Sequence, residues 1–208
     1  MARKPKTNPR KSASQERSRR TVDTILEATA RVLIKYGYDK ASTNRIAAVA
    51  GVSIGSLYQY FSSKEALVAA VIDRHTHELT QVVRGALIKV AARSIEVAAH
   101  ELVSAGIDAH RVNPELHRVL AEQVPRTGGL KKIEAIDDAY ASVRGYLEAH
   151  RDELGVAELD VAAFICVTAV EALTHAAVLH RPEILTGEKA GRFVDEVTRL
   201  MVRYLQRP

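Results

Sequence analysis

Residues 51–67 read G-V-S-I-G-S-L-Y-Q-Y-F-S-S-K-E-A-L, and Ser53, Ser56, Tyr58, Gln59 and Tyr60 bring hydroxyls and a carboxamide together over eight positions. No histidine, aspartate or cysteine stands among them to activate a nucleophile, so bond-making chemistry is a poor reading. What this set can do is hydrogen-bond: a carboxamide donates and accepts along one flat edge, and hydroxyls serve either role. The rest of the chain offers little else that is reactive. Its eight histidines include no HExxH pair and no Cys/His cluster with metal-ligand spacing. His75 and His77 are two apart and diverge on a helix, while Glu171 and His175 are four apart and share a face. That second pair allows a metal, an acid–base couple or a buried interfacial ion pair, the last being the simplest. Cys166, the only cysteine, stands in an apolar run and reads as a small core residue. No phosphate-cradling glycine loop occurs. The expectation is a protein that is not an enzyme, holds no metal and needs no cofactor.

The elements that position these groups read as helices throughout, with no alternating run that demands a strand and no internal repeat. From Ser14 or Gln15, Val22, Ile25, Leu26, Thr29, Leu33 and Tyr36 recur at three- and four-residue steps and form one apolar stripe. Gly37 follows as a C′ residue. Ser42 or Thr43 can cap a short helix that buries Ile46, Ala47 and Ala50, and Gly51 breaks it. Ser53 can cap the next helix, running to about Phe61, and Ser62 to Glu65 reads as a capping box that opens a long one. Further helices follow over 95–107 and from Pro114, the latter closed by Pro125, Gly128 and Gly129. Residues 131–151 carry Ile133, Ile136, Tyr140, Val143 and Leu147 as an inward stripe; 158–180 are apolar on nearly all sides. Residues 188–206 carry Phe193, Val194, Val197, Leu200, Met201 and Leu205 inward.

Charge is distributed unevenly. The chain of 208 residues has net charge +5, but residues 1–20 hold eight basic residues against Glu16, and the part beyond 64 is net acidic. A positive field confined to one end is the pattern of contact with a polyanion, the plainer alternative being a solubilising tail. Residues 1–14, which combine five basic residues with Pro5, Pro9 and small polar residues, read as a disordered basic arm. No apolar run of about 18 charge-free residues predicts a membrane span. The lone cysteine fits a reducing cytoplasm.

Two short helices joined at a glycine make a helix-turn-helix, whose second helix can enter a major groove. T-N-R-I-A-x-x-A-G-V-S-I-G-S-L-Y-Q-Y-F-S-S-K-E-A-L resembles the DNA-binding signature of the TetR family of bacterial transcriptional regulators, over about residues 15–70. The resemblance implies that Thr43 bonds a phosphate and that Asn44 reaches a base or a phosphate. It implies that Ile54, Gly55 and Gln59 face base edges, Gln59 suiting adenine and Ile54 a thymine methyl. Ser53, Ser56, Tyr58 and Tyr60 would fix backbone position, and Lys64 would clamp another phosphate. For Tyr58 a ring packed into the three-helix core is the equal alternative; Leu57 and Phe61 are core. The basic arm would either enter a minor groove or simply attract phosphates.

Beyond residue 70 the family layout implies a domain that dimerises and binds a small effector. The run from Asp160 to Leu173, apolar around its circumference, must be covered on all sides; with 188–206 it would form a four-helix homodimer interface. His117, Gln123, Tyr140, Arg144 and Thr168 are the polar groups that an effector pocket there would use, although Arg144 could equally bridge to Glu148. The full expectation is an all-α chain of about nine helices. It comprises a basic arm at 1–14, a three-helix helix-turn-helix domain at 15–63 and an effector-binding and dimerisation domain at 64–208. It would be a ligand-released repressor of a palindromic operator, cytoplasmic and nucleoid-associated, with no membrane contact. The rival classes are a non-specific architectural DNA binder and a helical enzyme.

Overall fold

The computed structural model describes residues 16–124 and 130–206, with the backbone alone at 17 and 130–137. The arm at 1–14 and the helix end assigned to Pro125, Gly128 and Gly129 lie outside the described residues, as do the side chains of Ile133 and Ile136. Among the described residues the chain is all-α: nine α-helices, two short 3-10 helices at Arg151–Glu153 and Pro182–Leu185, and no strand. In order these are α1 (Glu16–Lys40), α2 (Thr43–Ala50), α3 (Ile54–Tyr60), α4 (Lys64–Val90), α5 (Ile95–Arg111), α6 (Pro114–Gln123), α7 (Leu130–Ala149), α8 (Leu159–His180) and α9 (Glu188–Leu205).

The chain divides into two compact units. The first takes in residues up to His75 together with Glu115–Gly128, and the second takes in Thr76–Pro114 and everything from Gly129. The division falls inside α4, and α6 belongs to the first unit although it lies late in the chain.

In the first unit the predicted stripe of α1 is inside: Ile25 and Leu33 are fully buried, and Thr29, equally buried, donates its hydroxyl to the Ile25 carbonyl at 2.8 Å. Ile46 and Ala47 of α2, Leu57 of α3 and Leu67 and Val71 of α4 join the same cluster, closed by Leu116 and Val119 of α6. Two details differ from the sequence reading. Gly37 does not end α1 in a left-handed C-cap; its backbone (φ 75°, ψ 171°) kinks the helix, which resumes for Tyr38–Lys40. The cap of α4 is Ser63 rather than Ser62. Lys64 is the first helical residue, so it is the Ser63 hydroxyl that reaches the amide three positions on, that of Ala66, at 3.2 Å.

In the second unit α5, α7, α8 and α9 enclose two apolar clusters. Ile95, Leu147, Ala162, Cys166 and Met201 centre one, and Val103, Ile107, Val178, Val194 and Val197 the other. At Gly106 an added Cβ would stand 3.2 Å from the Thr174 methyl, so glycine lets α5 and α8 approach closely. Cys166 is core as expected, and burial pushes its thiol up to about 11. Leu200, expected inward, is 54% exposed, because Val194, Val197, Met201 and Leu205 already fill the buried side of α9.

Helix α8 is apolar all round, and by length and composition it could pass for a membrane span, yet one side of it is core. The other side leaves Val161 53% and Phe164 55% exposed, with Ile165, Thr168, Ala172 and Ala176 continuing the same face at three- and four-residue steps.

Candidate nucleic-acid interface

The geometry of the helix-turn-helix follows from three local devices. The Ser42 hydroxyl caps α2 by accepting from the Arg45 amide at 3.3 Å. Gly51 then takes a left-handed conformation (φ 68°, ψ 27°), and its amide and that of Val52 return to the Ala48 and Ala47 carbonyls. A side chain at Gly51 would meet nothing within 4 Å, so the glycine is required by the backbone alone. The Ser53 hydroxyl accepts from the Ser56 amide at 3.0 Å and donates to the Ser56 hydroxyl at 2.9 Å, which starts α3 and fixes its entry.

One side of α3 is anchored: Leu57 is fully buried, with Tyr60 and Phe61 beside it in the core. At 100° per residue Gly55, Tyr58 and Gln59 turn away from Leu57, and all three are exposed; Ile54, three residues before Leu57, is the first residue of the helix and is 38% exposed. From α2 the residues Asn44, Arg45, Ala48 and Val49 are exposed as well. Two sequence expectations are settled by packing. The Tyr58 ring lies outside the core, 41% exposed, with its hydroxyl 3.1 Å from the Thr43 hydroxyl. Tyr60, expected on the outward face, is instead 9% exposed, because it stands three residues after Leu57 and therefore on the anchored side.

Gly55 has no internal reason to be glycine. A Cβ there would find only the Ser53 hydroxyl, at 3.9 Å, and the backbone is ordinary helix. Glycine costs helix stability relative to alanine, and no contact within the fold offsets that cost at this position. The face is also free of negative charge: between Asp39 and Glu65 the chain holds Lys40, Arg45 and Lys64 and no acid.

The cations near this face are held rather than loose. Arg45, which the sequence reading passed over, lies with its guanidinium carbon 4.4 Å from the Tyr36 ring centroid and donates to the Lys40 carbonyl. Lys64 donates to the Tyr38 carbonyl at 3.2 Å and sits 4.1 Å from the Tyr38 ring centroid. Burial, then the charges of Glu65 and Asp39, raise the Tyr38 phenol above its ordinary pKa.

The five residues named for an effector pocket are divided between the two units. His117 and Gln123 belong to the first unit, and Tyr140, Arg144 and Thr168 to the second. His117 is buried, its Nδ1 3.0 Å from His75 Nε2; the Gln123 carboxamide oxygen accepts from the Tyr38 amide at 3.3 Å. Tyr140 meets the Thr168 hydroxyl at 3.1 Å and the Phe164 ring at 5.7 Å. Arg144 is committed to Asp160 at 2.9 Å and Glu148 at 3.6 Å, both partners being exposed. His110, which the sequence reading did not single out, is buried in the second unit. Its Nδ1 donates to the Gly106 carbonyl at 2.7 Å, and its ring meets that of His175 edge-on at 5.6 Å.

Comparison with known proteins agrees with this geometry. Residues 25–71 match the family described as bacterial regulatory proteins, tetR family, and residues 94–205 match the tetracyclin repressor-like C-terminal domain. The chain is 46% identical over 63 residues to the transcriptional activator FasR of Mycolicibacterium smegmatis, covering 30% of this chain and 29% of that protein. It is 41% identical over 64 residues to the A-factor receptor protein of Streptomyces griseus, covering 31% and 23%. Those matches thus span about a quarter of the relatives' own length. Among solved structures, the fatty acid degradation regulator FadR from Bacillus halodurans aligns with TM-score 0.68 at 18% identity over 88% of this chain and 94% of that one. SmeT, the repressor of a Stenotrophomonas maltophilia multidrug efflux pump, aligns with TM-score 0.63 at 20% identity over 90% and 92%. At such identities the structural likeness concerns the fold.

Proposed function

This chain belongs to the TetR family of bacterial regulatory proteins, and from that premise we propose that it represses transcription by binding a palindromic operator as a homodimer, releasing it when a small effector binds. The observation that carries the reading is the exposure of Ile54, Gly55, Tyr58 and Gln59 on a helix anchored through Leu57 and Tyr60. Gln59 is suited to pair with an adenine edge and Ile54 to meet a thymine methyl. Gly55 lets the backbone come close. Thr43, Ser53, Ser56, Tyr58 and Lys64 supply phosphate contacts, Thr43 and Tyr58 acting as a pair through their shared hydrogen bond. Asn44 reaches either a base or a phosphate. The basic residues of 1–20 add sequence-independent attraction to DNA.

The uncovered apolar face of α8 supports the homodimer, with α9 alongside it as the second helix each copy contributes. Repression and effector release are supported by SmeT, described as a repressor and also solved as a complex with triclosan. An effector can release DNA only by binding more tightly to a conformer that fits the operator poorly.

The test is Gln59→Ala measured on the preferred DNA sequence and on variants of it. The reading expects a loss of about 1–3 kcal/mol at one base position and little change on sequences already altered there. An architectural binder would lose affinity equally on every sequence, and that result would remove Gln59 as a base reader.

A further inference from the structure

The carboxamide of Gln123 does something that the first unit does not need for its core. Gln123 is the last residue of α6 and is exposed, yet its oxygen accepts from the Tyr38 amide at 3.3 Å, across 85 positions of sequence. The approach is close enough that a Cβ on Gly37 would stand 2.6 Å from that oxygen. Gly37 therefore serves twice, by taking the positive φ of the kink and by leaving room for Gln123. The next group along the backbone, the Tyr38 carbonyl, is the acceptor of Lys64, and the Tyr38 ring lies against the same ammonium.

We propose that Gln123 is a positioning residue for the Lys64 phosphate contact: by pinning the Gly37–Tyr38 peptide it fixes the carbonyl and ring that aim the Lys64 ammonium. This rests on the DNA-binding reading above. A lysine ammonium has three donors on a flexible stem. The Tyr38 carbonyl occupies one, and the ring holds the stem's end in place, which leaves a directed donor for a phosphate. With Gln123 gone, the Tyr38 amide is freed and the kink loses this tie to the end of α6. The ammonium then samples more positions. A displacement of α6 has the same effect, so the end of α6 is coupled to a DNA contact on α4 within one compact unit.

The experiment compares the full-length wild type with Gln123→Ala, Lys64→Ala and the double variant, measuring affinity for the wild type's preferred DNA duplex from low to moderate salt. Lys64→Ala flattens the slope of log affinity against log salt by about 1.8 for a bound dimer, the loss of one phosphate contact in each copy. Gln123→Ala flattens it by roughly half that or more, and leaves the preferred sequence unchanged. The double variant matches Lys64→Ala alone, because both changes remove the same contact. An unchanged slope in Gln123→Ala, or effects that add in the double variant, overturns the proposal while selective wild-type binding leaves the DNA-binding reading standing. A wild type with no sequence preference sinks both.

Discussion

At the scale of single residues, the two tyrosines of α3 separate by position. Tyr60 shares a face with Leu57 and is buried; Tyr58 is one residue off that face and is exposed. The spacing of Leu57, Tyr60 and Phe61 was legible in the sequence, and it should have outweighed the polarity of the Tyr60 hydroxyl. The exposure of Gln59 was equally legible; that of Ile54, three residues before Leu57, was not. The ties of Lys64 to Tyr38 and of Gln123 to the Tyr38 amide were not, because periodicity reports on one helix and carries no information about partners far away in the chain. Gly55 gives the sharpest residue-level prediction. Gly55→Ala fits the helix without a clash, so thermal unfolding should show the variant more stable by about 0.4–1 kcal/mol. The same variant should bind its preferred DNA more weakly. A variant that gains stability and keeps full affinity would show that nothing approaches that backbone.

At the scale of elements, helix positions were readable from stripes, glycines and capping serines, with errors of a residue at Ser63 and a misread backbone at Gly37. A helix whose every face is apolar was harder. For α8 the sequence announced a helix that must be covered all round, yet no periodic signal could say which side its own chain covers. The structure assigns Leu159, Ala162, Ala163 and Cys166 to the core and leaves Val161, Phe164 and Ile165 outside. If that face seats a second copy, Phe164→Glu places a charge where an apolar side chain would be buried. Removing such a side chain forfeits about 1.5–3 kcal/mol in each copy, before any penalty for the buried carboxylate. The variant should run as a monomer by light scattering and retain the helical circular dichroism of the wild type. A stable dimer carrying Phe164→Glu would move the interface elsewhere.

At the scale of the whole molecule, the family and the all-α architecture were visible in the sequence through a short signature and a charge gradient. The part that α6 plays in the first compact unit was not, since nothing local announces that Leu116, Val119, Leu120 and Val124 pack with the helix-turn-helix. The central claim is that this chain reads a symmetric DNA sequence. It is tested most directly by letting the full-length protein select from random duplex DNA and sequencing what it retains. The account predicts enriched duplexes with two inverted half-sites whose centres lie about 10–10.5 base pairs, or a multiple of that, apart. Retention of duplexes with no common sequence, or of a single unrepeated site, would contradict it.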